Sequence, residues 1–386
     1  MLEFNPRDIY WLEHRSFLEA SGYRLRPKFN PEYILNPNPA ARREDWATHT
    51  RHTIMDAHRI SDGQPVMLKA VSTRIHPHEV EIARLFSSPP LSEDPKNHCI
   101  PIFDVLTDPD DTDKQIIVMP RLLRFDRPMF ETVGEVVDCF RQIFEGIEFM
   151  HQNFVAHRDC WGPNLAQDPS LLFPDGFHPI YISQDPQNQH KARHISRTEC
   201  WPRFFLLDFG LSRRYDPANG PPLERVIYGG DRSPPEQHKR PAICNPFPTD
   251  IYVLGNLLKN DFVYSRRLGK KSVILPSLRF LEPLVEAMTR PDPATRPTIG
   301  EVIDQLDVLC NDLSSWHLRR PGRKYAFNLR LFFQQIMRTL KRVPPLPQKA
   351  SQGHRPALSE SIRMFYTEMR LPMTTATIDD CELHEK

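Results

Sequence analysis

The chain has 386 residues, 39% of them hydrophobic, enough for one two-lobed domain or two ordinary domains with a sizeable core. Lysine and arginine number 50 against 49 acids, a formal net charge of +1, which gives no electrostatic case for nucleic acid or a membrane as the main partner. The 16 histidines show no His-Glu-x-x-His spacing, and the 7 cysteines form no C-x-x-C pair, which excludes a recognisable zinc motif and a disulfide framework.

Scattered, odd-numbered cysteines suit reduced thiols, so an intracellular protein, cytoplasmic or nuclear, is expected. The start, Met1-Leu2-Glu3-Phe4-Asn5, has no basic patch followed by an apolar run, so no secretory signal is expected. No apolar stretch approaches the ~20 residues that span a bilayer. The 39 prolines point to long irregular connections.

Residues 1–44 are polar, with a few aromatics (Tyr10, Trp11, Phe17), and are expected to pack loosely as an extension. Thr53–Ala57 and Pro65–Val71 flank Ser61-Asp62-Gly63-Gln64, the pattern of a hairpin. A helix is predicted over 78–86, then strands over 100–106 and 115–120 around the acidic turn 108–113. Val136, Val137, Phe140, Ile143, Phe144, Ile147 and Met150 recur at three- and four-residue spacing, one apolar stripe of a buried helix.

Residues 165–203 break the pattern with Pro, Asp, Asn and His, and read as a long insert that folds as a small hairpin. Phe204–Leu207 is a short strand. Helices are predicted near 249–260, 278–289 and 298–313. A basic tail follows, with an amphipathic candidate over 325–340, a proline break at 344–347 and a weakly ordered end.

The chemistry concentrates in two short motifs. His157-Arg158-Asp159 follows the long helix, with Asn164 five residues beyond the aspartate. Asp208-Phe209-Gly210 follows the strand at 204–207. Phosphoryl transfer needs positioning and charge neutralisation more than covalent help. One carboxylate must orient a substrate hydroxyl, and a second carboxylate with an amide oxygen must hold Mg²⁺, which prefers oxygen ligands. Asp159 suits the first role, and Asp208 with Asn164 the second.

In these motifs the chain resembles the eukaryotic protein kinase superfamily, whose catalytic loop is His-Arg-Asp-x-x-x-x-Asn and whose activation segment opens with Asp-Phe-Gly. Further marks stand in family order. Val66-Met67-Leu68-Lys69 resembles the Val-Ala-Ile-Lys strand, and Glu79 the glutamate that pairs with its lysine, with Glu81 as the alternative. Ser233-Pro234-Pro235-Glu236 resembles the Ala-Pro-Glu that closes the activation segment. Asp250 with Gly255 resembles a pair on the central helix, and Arg296 the buried partner of Glu236.

The resemblance covers roughly residues 45–312. It implies an α+β, two-lobed fold: a small β-rich lobe with one helix over 45–121, and a larger, mainly helical lobe over 122–312 containing the insert. The tail 313–386 is expected to be partly disordered. The resemblance implies ATP and Mg²⁺ as cofactors and a protein hydroxyl as substrate. Lys69, Glu79, Asp159 and Asn164 would be catalytic. Lys69, Val66, Met119, Pro120, Leu122 and Asp208 would bind the nucleotide, with Asn164 and Asp208 on the metal.

Three departures stand against the family pattern. The glycine-rich loop positions fall on Ala47, His49 and His52, where side chains must lift the lid, swing outward or contact phosphate themselves. Trp161 and Pro163 stand where serine/threonine and tyrosine kinases carry a basic residue, the loss of a contact worth ~10²–10³ in rate. Met67 replaces a small alanine over the adenine ring. Lys191, Arg193 and Arg197 of the insert are candidates to restore the missing charge. A slow kinase, with Ser/Thr preferred, is the leading expectation. A pseudokinase scaffold is the alternative, and a small-molecule kinase a third reading disfavoured by Glu236 and Arg296.

Overall fold

In the computed structural model, residues 5–31, 47–239, 242–264, 275–322, 329–347 and 362 are described. Helix α1 (Pro6–Glu13) begins with proline at its first turn and with Asn5 as cap, whose side chain accepts from the Arg7 N–H at 3.1 Å. Helix α2 (Arg15–Ala20) and strand β1 (Tyr23–Leu25) follow. Then come β2 (Ile54–Arg59), β3 (Pro65–Ser72), α3 (Glu79–Ser87), β4 (Asp104–Thr107) and β5 (Lys114–Pro120). The five strands form one antiparallel sheet in the order β1-β2-β3-β5-β4. Gly63, at φ +71°, makes the β2–β3 turn that its sequence predicts.

Strand alternation sorts the sheet's two faces. Met55, Ala57, Val66, Leu68, Ile116 and Val118 pack with Trp11, Leu18, Tyr23, Leu25 and Phe29 in one cluster. Residues paired across antiparallel strands share a face, so Ile54, Lys69 and Ile117 form a row on the other side, and Asp56, Met67 and Met119 the next row. Residues 5–31, the described part of the N-terminal segment, are therefore no loose extension: Trp11, Leu18 and Phe29 have no exposed surface, and β1 is an integral strand. Three α-helices, not one, accompany the sheet among the described residues.

Past β6 (Leu123–Arg124) the chain turns mainly helical. Helix α4 (Val133–Gln152), capped by Thr132, carries the apolar stripe predicted from spacing, and all seven stripe residues are buried in the main core. After β7 (Val155–Ala156) come β8 (Leu165–Gln167), α5 (Arg197–Cys200), β9 (Phe204–Leu206), β10 (Arg213–Arg214), β11 (Glu224–Arg225) and β12 (Ile243–Cys244). Helices α6 (Pro246–Leu258), α7 (Glu282–Met288), α8 (Ile299–Asn311), α9 (Ser315–Leu318) and α10 (Leu329–Leu340) complete the described elements.

The insert starts later than its sequence suggests, because Leu165–Gln167 pairs with both β6 and β9. Beyond it, Leu172, Phe173 and Phe177 pack with Leu123 in a cluster of their own, and a single bridge, Gln184 to Lys191, stands where a hairpin was expected. In the tail, Arg338 pairs with Glu131 at 2.8 Å and Leu346 is buried. Residues 325–328 and, apart from Ile362, the chain end lie outside the described residues. Among the described residues no helix is long and apolar enough to cross a membrane. The described cysteines are free thiols.

Candidate active site

Strand β3 places Lys69 opposite Ile54 and Ile117, with its ammonium directed to two carboxylates. The Nζ donates to Glu79 Oε1 and, at 2.8 Å, to Asp208 Oδ1. Glu79 opens α3 and is buried, whereas Glu81 is exposed beside His78, so Glu79 is the partner. Burial works to lower the Lys69 pKa, but the charges of Glu79 and Asp208 outweigh it and favour the ammonium form. Burial likewise works to raise Asp208, and Lys69 more than offsets that, holding the carboxylate ionised. His76 ties the turn before α3 to the Gly210 carbonyl at 2.9 Å.

The loop 157–164 is pinned from below by Asp250 on α6. This buried carboxylate accepts from the backbone N–H groups of His157 (2.9 Å) and Arg158 (2.7 Å) and contacts His151 Nε2 at 3.0 Å. Arg158 and Asp208 both hold left-handed backbone conformations, at φ +68° and +65°, strain that such tertiary bonds sustain. Asn164 donates through its amide nitrogen to the Asp159 carbonyl (2.9 Å) and to Asp159 Oδ2 (2.8 Å). Its amide oxygen is left as a neutral acceptor. Asp159 Oδ1 takes the Gly230 N–H at 2.6 Å. Burial raises the Asp159 pKa against the opposing effect of that bond.

A carboxylate at Asp208 and an amide oxygen at Asn164 are hard oxygen donors of the kind magnesium takes. Glu236 and Arg296 form a buried bidentate pair at 2.7 and 2.6 Å, to which Thr249 adds a bond at 2.8 Å. Gly255 allows α6 to approach α7, since a Cβ there would lie 2.5 Å from that of Met288.

Other expected residues fall differently. Val66 shares the face of Leu68 and packs beside Trp11, away from the row of Lys69, so its assignment to the nucleotide is corrected by strand parity. Met67 stands directly across from Met119, both half-buried. Pro120 pairs with Val66, and Leu122 packs on the main core. Two of the insert's three candidate cations, Arg193 and Arg197, are engaged away from Asp159. Arg193 pairs with Asp175 at 2.8 Å, and Arg197 is buried against Gln167 and the carbonyls of Phe125 and Pro128.

The lid departs further than its missing glycines suggest. Residues 26–53 connect β1 to β2, so a tight phosphate-cradling hairpin does not join these strands. His49 binds Asp56 at 2.7 Å, and the His52 carbonyl accepts from Trp11 at 2.8 Å. Asp56 also faces Arg26 at 3.1 Å, which puts a charged pair in the row of Met67 and Met119. An acid within the apolar run 53–57 was the available signal for that pair.

Three further residues of the site went unread in the sequence. Glu224 binds Arg158 at 3.1 Å, Arg213 at 2.7 Å and the Tyr215 hydroxyl at 3.1 Å. Gly230 caps Asp159, and a Cβ on it would fall 1.9 Å from a Trp161 ring carbon. Arg51 lies 3.5 Å from Asp208 Oδ2. Only the Gly229-Gly230 doublet hints at any of these, because the contacts join segments far apart in sequence. No family model and no curated protein matches the chain.

Proposed function

We propose that this chain is an intracellular, Mg-ATP-dependent protein kinase on the two-lobed kinase plan, transferring a phosphoryl group to a protein hydroxyl, with serine and threonine preferred. The observation that carries this reading is the convergence of Lys69, Glu79, Asp159, Asn164 and Asp208, drawn from four separate segments, into two bonded groups, Lys69–Glu79–Asp208 and Asp159–Asn164, whose segments are joined by the bond from the Leu207 N–H to the Asn164 carbonyl at 2.9 Å. A protein that only bound partners would have no physical need of all five.

In this reading Asn164 Oδ1 and Asp208 would hold magnesium, which supplies charge neutralisation on the phosphates when bound. Lys69, kept in place by Glu79, binds phosphate oxygens. Asp159, oriented by Asn164 and Gly230, accepts the hydrogen of the substrate hydroxyl, and its raised pKa brings it closer to the range of an effective base. The pair Glu236–Arg296 keeps the segment end fixed beneath the substrate.

A pseudokinase scaffold is the second reading, favoured by the lid and by Trp161 in place of a basic residue. Two measurements separate them. Saturating Mg-ATP at ~100 times its Kd should add about 2.7 kcal/mol to stability, visible as a raised Tm. Labelled ATP should then transfer phosphate to a generic protein substrate, with Asp208→Asn as blank. No melting shift at millimolar Mg-ATP would sink the kinase reading; a shift without transfer above the blank supports the scaffold.

A further inference from the structure

We propose that Arg51 is a phosphate ligand, a guanidinium that the β1–β2 connection offers to the terminal phosphates of a nucleotide in place of a glycine-rich backbone cradle. The inference rests on the reading that this site takes a nucleoside triphosphate. Thr53 is fixed by its carbonyl, which accepts from the Ala70 N–H at 2.8 Å, and Ile54 lies opposite Lys69. Arg51 therefore leaves the sheet just beyond the row that carries Lys69. Its Nη1 lies 3.5 Å from Asp208 Oδ2, while Lys69 Nζ lies 2.8 Å from Oδ1. The two oxygens of the carboxylate expected to hold metal each face a cation.

Arg51 is the uncommitted one of these cations. Its side chain is 55% exposed, and an exposed ion pair at 3.5 Å constrains it little. Arg26 and Lys28, the other described arginine and lysine of the connection, are engaged, Arg26 with Asp56 and Lys28 with Asp8 at 2.7 Å. With Trp161 and Pro163 in the loop, Arg51 and Lys69 are the cations among the described residues paired with Asp208. A planar guanidinium with five donors suits phosphate oxygens better than a carboxylate already shared with lysine. The ligand class it selects is a di- or triphosphate, not the nucleoside.

The experiment is a set of Mg-ATP, Mg-ADP and adenosine titrations by calorimetry on the full chain, for wild type, Arg51→Ala and Arg51→Lys. Losing a charge-assisted contact should weaken Mg-ATP binding by about tenfold or more and leave adenosine within about twofold. Arg51→Lys should recover part of the loss, and 0.5 M salt should shrink the difference between wild type and Arg51→Ala. Equal weakening of ATP and adenosine would make Arg51 structural and overturn the proposal, as would unchanged ATP affinity. Wild-type protein that binds no Mg-ATP would overturn the nucleotide reading itself, a result distinct from either.

Discussion

Asp159 gives one carboxylate oxygen to Asn164 and the other to the backbone N–H of Gly230, and Trp161 dictates what can stand at position 230. A Cβ there would meet the indole at 1.9 Å, against ring atoms that cannot fold away as the end of a flexible chain can. Gly230→Ala should therefore push the segment back and withdraw the N–H from Asp159. The carboxylate then loses a donor to its charged form, and its pKa rises further. Transfer should fall by about 10–100-fold, with the acidic limb of the rate profile moved to higher pH and little change in Tm. Adding Trp161→Ala opens the space, so the double variant should recover much of what Gly230→Ala loses. A double-mutant cycle on rate measures this coupling, and strict additivity would show that the two residues do not share one space.

At the scale of elements, the N-terminal helices show how far sequence patterning reaches. The stripe on α4 was legible because twenty residues sample one face repeatedly. Helices α1 and α2 have 8 and 6 residues, too few for a period to declare itself, and their burial rests on single large side chains among polar neighbours. Only the Asn5-Pro6 start hinted at a helix. Trp11 is the chief anchor, fully buried, and its Nε1 donates to the His52 carbonyl beside Arg51. Trp11→Ala should cost about 3–5 kcal/mol in denaturant unfolding, the usual range for an aromatic cavity. Trp11→Phe retains much of the buried ring and loses the bond, so it should cost about 1 kcal/mol and leave the loop 47–53 less restrained. Faster proteolysis in that loop for Trp11→Phe, beyond what the loss of about 1 kcal/mol in global stability accounts for, is the expected signature; an unchanged cleavage rate would show that His52 is held by other means.

Across the whole molecule, the candidate site residues were readable because the proposed phosphoryl-transfer chemistry would fix their types and spacing, whereas the acids that tune stability were not, since their environments come from packing. Asp138 is the clearest case. It lies on α4 at full burial, accepting from Trp201 Nε1 at 2.8 Å and from Gln142 Nε2 at 2.9 Å, and Gln142 in turn accepts from the Phe204 N–H at 3.0 Å. These bonds link the central helix to β9, the strand that leads into Asp208. Burial pushes the Asp138 pKa from 3.8 to about 7, the two bonds opposing it only in part. The sign follows from linkage. Between about pH 4 and 7 the unfolded chain has released a proton that the folded protein retains, so the unfolding free energy falls as pH rises through that window. Three units correspond to about 4 kcal/mol, a large share of an ordinary domain's 5–15 kcal/mol. Asp208, Asp250 and Glu236 act in the opposite sense: their pKa values are depressed, and the stability they contribute is lost as pH falls through those values. Stability should therefore decline on both sides of a mildly acidic maximum. Asp138→Asn carries no charge at any pH, so its stability relative to wild type should rise between pH 5 and pH 8 by most of that 4 kcal/mol. Denaturant midpoints at the two pH values read this directly. Because the variant shares every other titrating group with wild type, a difference that stays constant with pH would mean that Asp138 is already ionised in the folded protein at pH 5, and that the helix-to-strand junction tolerates a buried charge.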